Sequence, residues 1–85
     1  MMDIKSVVGE NIRGYRSSLG WSQEKLAVRA KLHYNYIGTV ERAEDNISIL
    51  SLHKIAKALK VKPFLFFIEH AYRLSQKELG KELLS

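Results

Sequence analysis

Apolar residues recur along this chain at helical spacing almost from its start. Val8, Ile12, Tyr15 and Leu19 follow an i, i+4, i+7, i+11 rhythm, which predicts one buried stripe on a first helix. Gly20 is placed to close that helix, since glycine accepts a left-handed backbone at no steric cost. Ser22 suits the N-cap of a second helix, with Trp21 and Leu26 as the staple around it and Glu24 at the positive end of its dipole. That helix is predicted from about Gln23 to Lys31, burying Leu26, Ala27 and Ala30. A third, capped by His33, runs from about Tyr34 to Arg42 and buries Ile37 and Val40. Ala43–Ile47 is polar and reads as a loop. Ser48 then caps a fourth helix striped by Leu52, Ile55, Ala56 and Leu59. Pro63 fits the first position of a fifth, where its missing N–H has no intrahelical partner to lose. Ser75 and Glu78 form a capping box, with Leu74 and Leu79 as its staple, for a short extra C-terminal helix. No stretch alternates with period two, so the expected fold class is all-α.

Composition narrows the classes. Eighty-five residues make a single domain, and such a chain buries only about 60–65% of its unfolded surface, which leaves little room for a cleft between lobes. A hydrophobic fraction of 46% is too high for a disordered chain. There is no cysteine, which removes disulfide scaffolds, thiolate zinc sites and thiol catalysis. His33, His53 and His70 share no ligand spacing, so no metal is expected. Ser, His and Asp occur without any nucleophile elbow, so the protein is not expected to be an enzyme, and no cofactor is expected. The longest apolar run is Phe64–Ile68, too short for a membrane span, and no signal-peptide h-region is visible. The expectation is a cytoplasmic domain with no membrane partner.

Charge changes the picture further. Fourteen Lys and Arg against nine Asp and Glu leave a net charge of +5. Residues 1–62 hold all of that excess, whereas residues 63–85 are neutral and rich in apolar side chains. A basic body with a neutral apolar tail fits a polyanion-binding part and a packing part.

The segment Gln23–Arg42 is the most informative. Two short helices joined by three or four residues, with small Ala27 at their crossing, suit a steep helix pair. Ile37 and Val40 would pin the second helix, turning Tyr34, Asn35, Gly38, Thr39 and Arg42 outward. A helix presented in this way fits the major groove of DNA.

These residues carry a resemblance. WSQEKLAVRAKLHYNYIGTVER, followed by LHKIAKALKVKPFLFF, resembles the helix-turn-helix of the Cro and lambda-type repressor family over roughly residues 8–68. The small size, the NISILSLHKIAKAL stretch and the short helical tail look most like restriction–modification controller proteins, features that many phage and plasmid repressors share. The resemblance implies a five-helix lambda-repressor-like domain, with DNA-binding helices over 7–62 and a helical dimerisation region over 63–85. It implies a transcriptional regulator that binds double-stranded DNA as a homodimer, with RNA polymerase a further candidate partner.

The same resemblance assigns residues. Gln23 matches a phosphate contact that also buttresses the recognition helix. His33, Tyr34, Asn35 and Thr39 match positions facing base edges, and an Asn amide can bond adenine N6 and N7 together. Arg42 and the backbone near Asn46 match phosphate contacts, with Arg13 a further candidate. Arg16 and Glu41 match a structural ion pair. Surplus apolar residues in the tail, among them Phe64, Phe67, Ile68, Ala71 and Tyr72, would form a twofold dimer interface.

Several positions depart from the family pattern. Lys31 stands where a turn glycine is usual, at a cost of about 1 kcal/mol if φ is positive. Gly38 lies inside the recognition helix, where it would allow close approach to DNA or to a partner subunit. The loop Ala43-Glu44-Asp45 is acidic where relatives often carry bases, which weakens its expected phosphate contacts. The patch through which some lambda-type repressors activate transcription is acidic, whereas here it carries Arg29 and Lys31. A protein-interaction module that keeps the fold is the competing class, and DNA binding with no salt dependence would favour it.

Overall fold

The computed structural model describes residues 3–74. Four α-helices follow in order: α1 Ile4–Ser18, α2 Gln23–Ala30, α3 Tyr34–Glu41 and α4 Ile49–Leu59. Two 3-10 turns, Pro63–Phe67 and Ala71–Arg73, complete the path, and no strand occurs among the described residues. α2 packs on α3 and α4, while α1 lies across α3 and both 3-10 turns. No helix among the described residues is long and apolar enough to cross a membrane.

Each helix begins on a side chain that takes an otherwise orphaned N–H. Asp3, Ser22, His33 and Ser48 accept from Ser6, Lys25, Asn35 and Ser51. The Ser6 N–H holds the Asp3 carboxyl below its usual range, so this cap persists at neutral pH and is lost as pH falls through that lowered value.

All four helices also end alike. Gly20, Lys31, Ala43 and Lys60 adopt left-handed φ values of 72°, 58°, 61° and 59°. In each case the N–H of the following residue reaches back five residues, as from Leu32 to the Ala27 carbonyl at 2.9 Å. The three non-glycine residues accept a strained backbone, at roughly 1 kcal/mol apiece, to close the carbonyl ends. These caps shorten α2 and α3 by one residue from the sequence expectation, placing Lys31 and Arg42 just outside them.

The main core draws one stripe from each helix. Ile12, Leu26, Ile37, Ile55 and Phe66 have no measurable exposure, and Val8, Ala27, Ala30, Val40 and Leu59 surround them. α1 and α3 approach closely at Gly9, where an added Cβ would fall 2.8 Å from the Glu41 carbonyl oxygen. Leu19 does not join the stripe. It is the C-cap of α1, beyond the reach of the core, and is half-exposed.

The fifth helix is the main difference from the sequence expectation. Pro63 does occupy the first position, but the segment winds as a 3-10 turn and ends at Phe67. The cause lies on α1. Asn11 is fully buried, and its Nδ2 donates to the carbonyls of Phe66 and Ile68 at 2.9 and 2.8 Å, with Leu65 at 3.4 Å. Its Oδ1 accepts from the Tyr72 N–H at 3.3 Å. Carbonyls that would have propagated an α-helix are therefore turned towards a side chain. Beyond them the Tyr72 ring covers Gly14 so closely that an added Cβ would fall inside it. The short helix expected from Ser75 and Glu78 lies outside the described residues.

Asn11→Ala leaves buried carbonyls without their donor and should lower stability by about 1–3 kcal/mol. Urea unfolding followed by far-UV circular dichroism reads this directly, and an unchanged midpoint would show that water replaces the amide at no cost.

Candidate nucleic-acid interface

The exposed end of α3 is prepared by its own cap. His33 Nδ1 accepts the Asn35 N–H at 3.1 Å, so a neutral ring carries its proton on Nε2, the outward nitrogen. The His33 and Tyr34 rings stack with centroids 4.9 Å apart and planes inclined by 22°. Asn35 follows on the same exposed end. One turn on, Thr39 is half-buried, and its hydroxyl donates to the Tyr36 carbonyl at 2.9 Å. Its donor is thus used internally, and the methyl and the oxygen lone pairs remain for an outside partner.

The inner face of α3 is braced by ionic and amide groups. Arg16 Nε and Nη2 donate to the two Glu41 oxygens at 2.7 and 2.9 Å, and Nη1 donates to the Trp21 carbonyl at 2.7 Å. Only 3% of the Glu41 side chain and 13% of Arg16 are exposed, so the pair is shielded and geometrically fixed. Gln23 Nε2 completes the cluster by donating to Glu41 Oε1 at 3.1 Å. At the far end the Tyr36 hydroxyl accepts the Ser48 N–H at 3.3 Å, tying α3 to the start of α4.

The other side chains assigned by sequence fall into separate places. Gly38 is buried rather than outward, with Arg42 Nη1 and Gln23 Oε1 3.0 and 3.4 Å from the position a Cβ would take. The missing side chain thus makes room for those two groups and not for an approaching ligand. Arg13 is exposed on α1 and shares a shallow groove with Glu41, Arg42 and Glu10. Asn46 is exposed elsewhere, beside Ile4, Lys5 and Phe67. In the tail, Phe64 and Phe67 are about half-exposed, while Ile68 is half-buried. Tyr72 is half-buried, its hydroxyl donating to Glu10 Oε1 at 3.0 Å. Ala71 has no exposure and packs with Leu65 in a second small core, so it belongs to the interior rather than to a surface patch.

Two features escaped the residue-level reading. Asn11 looked like an ordinary polar position on α1, and only its place within the Val8–Ile12 stripe hinted at burial. The second is a groove between α2 and α4 lined by Arg29, Lys31, His53, Lys54, Lys57 and Lys60. The charge excess of residues 1–62 was its signal, but the sequence did not show that these bases share one surface.

A short helix pair, a buried brace and an exposed polar helix end define a helix-turn-helix protein. The Helix-turn-helix family model matches residues 12–66. Control protein C.SmaI from Serratia marcescens is 50% identical over 58 residues, 68% of this chain and 69% of that protein. The controller protein C.AhdI from Aeromonas hydrophila superposes with a TM-score of 0.72 at 36% identity, covering 74% of this chain and 96% of that one. The C.Esp1396I controller tetramer, solved with its natural 35-base-pair operator, gives a TM-score of 0.71 at 33% identity over the whole of both chains. The chain belongs to the XRE-type helix-turn-helix family of DNA-binding transcriptional regulators and is close to the restriction–modification controllers within it.

Arg16→Met should cost about 3–5 kcal/mol, because it strands the Glu41 carboxylate in a buried site. Combining it with Glu41→Met should recover much of that loss. Thermal unfolding of the two single variants and the double variant measures the difference, and equal losses in all three would mean the pair is not coupled.

Proposed function

We propose that the protein is a homodimeric regulator that reads a pseudo-palindromic operator and controls the expression of a restriction–modification system from the cytoplasm. The observation that carries this reading is the exposed His33–Tyr34–Asn35 end of α3, held by the Arg16–Glu41–Gln23 brace. Asn35 would bond an adenine edge, and Thr39 would offer its methyl to thymine. His33 and Tyr34 would contact neighbouring bases or sugars. Gln23, Arg13, Arg42 and the backbone near Asn46 would meet phosphates and set the register. The protein works by occupancy and has no catalytic role. An operator overlapping a promoter excludes RNA polymerase, and one placed upstream brings polymerase a neighbour to contact.

The division of labour follows from the surface. Residues 1–62 carry the whole excess of positive charge, and the tail carries the exposed Phe64 and Phe67. Paired across a twofold axis, these rings would set two recognition helices about 34 Å apart, one turn of DNA. Ile68 and Tyr72 would flank that contact.

Selection of binding sites from a random duplex library should enrich two inverted half-sites. Asn35→Ala should then weaken operator binding by about 1–3 kcal/mol while leaving random DNA unaffected; equal loss on both would make Asn35 a positioning residue. Phe64→Ala with Phe67→Ala should shift sedimentation towards the monomer, and an unchanged dimer would place the interface elsewhere. A folded protein that enriches no sequence would favour a partner-docking module instead.

A further inference from the structure

Arg42 does not stand free at the end of α3. Its Nε donates to Glu44 Oε2 at 2.9 Å and its Nη2 to Glu44 Oε1 at 3.3 Å, so the forked edge that would grip a phosphate already grips a carboxylate. The third nitrogen, Nη1, lies over Gly38 beside Gln23. The left-handed turn at Ala43 and the Glu44 N–H, bonded to the Thr39 carbonyl at 2.9 Å, fix Glu44 in this position. Both side chains remain more than half-exposed, so the pair is open to exchange. Each shifts the other towards its charged form, which is consistent with a formed pair.

We infer that Glu44 is an internal competitor for the DNA phosphate that Arg42 would hold, and so sets the affinity and salt dependence of DNA binding. This rests on the reading of Arg42 as a phosphate contact. A carboxylate and a phosphodiester offer the same fork two oxygens and negative charge. When DNA arrives, the Arg42–Glu44 bonds must break, and the displaced carboxylate is left close to the backbone. Arg42 therefore contributes less than a free guanidinium would. Salt screens the internal pair as well as the DNA contact, which makes binding less steeply salt-dependent.

The test is a binding cycle on a random 30-base-pair duplex across a range of salt concentrations. It compares the wild type, Glu44→Gln, Arg42→Ala and the double variant, with Asp45→Asn as control. Asp45 neighbours Glu44 and has no bond to Arg42, so Asp45→Asn reports the loss of one acidic charge alone. Glu44→Gln should tighten binding roughly two- to fivefold, the range of an exposed ion pair, and by more than Asp45→Asn. It should also steepen the slope of log K against log salt by up to about 0.9. In the Arg42→Ala background the gain from Glu44→Gln should fall to that of Asp45→Asn. Equal gains from Glu44→Gln and Asp45→Asn, unaffected by Arg42→Ala, would overturn the competitor role while leaving the DNA-binding reading intact. No DNA binding by the wild type at low salt would overturn both.

Discussion

One guanidinium holds the recognition helix to the rest of the molecule. Arg16 spends its donors on both oxygens of Glu41 and on the Trp21 carbonyl, joining α1, the link to α2 and the last turn of α3. Gln23 adds the first residue of α2 to the same carboxylate. A helix of eight residues has little stability of its own, so its orientation must come from what it packs against. Ile37 and Val40 supply adhesion, but apolar contact alone permits rotation and sliding. The bidentate pair removes those freedoms because its geometry is directional. The outer face of α3 is then free of the task of orienting the helix, and its His33 cap and Thr39 hydroxyl serve only the helix's own backbone.

The second constraint acts through Asn11. A single amide takes up the carbonyls at the end of the 3-10 turn after Pro63, so that segment follows α1 closely and does not project as an independent helix. Burying an amide is tolerable only when its hydrogen bonds are made, and here both its nitrogen and its oxygen are used. The result is a tail whose inner residues, Leu65, Phe66 and Ala71, complete the core, and whose Phe64 and Phe67 stay outside.

Local chemistry made most of this architecture legible. The caps at Ser22, His33 and Ser48, the stop at Gly20, and the stripes of α2, α3 and α4 are each written within a few neighbouring residues, whereas the stop at Lys31 carries no such local sign. What could not be read was set by distant residues. Asn11 meets partners more than fifty positions away, and without them Pro63 announces an ordinary helix. Gly38 appeared outward because helical spacing gives a face but not what another helix places on it. Ala71 was grouped with the surface for the same reason: an apolar residue in a surplus gives no sign of which members the core will take. Among the candidate contacts, the residue types and their order on α3 were readable. The pairing of Arg42 with Glu44 was not, because it depends on the left-handed turn at Ala43, a residue with no sequence signature for that backbone.

The Asn11 clamp also places the molecule in time. The chain is made from its N-terminus, so α1 emerges long before residues 65–72, which carry every hydrogen-bond partner of that amide. Until they arrive, α1 has a polar group on the face it must bury, and the Phe66 side of the core is vacant. Translation through the helix-turn-helix alone therefore supplies the brace on the recognition helix but leaves the Asn11 face of α1 unsatisfied. The core closes only as residues 65–72 appear, after the recognition helix has already met its brace.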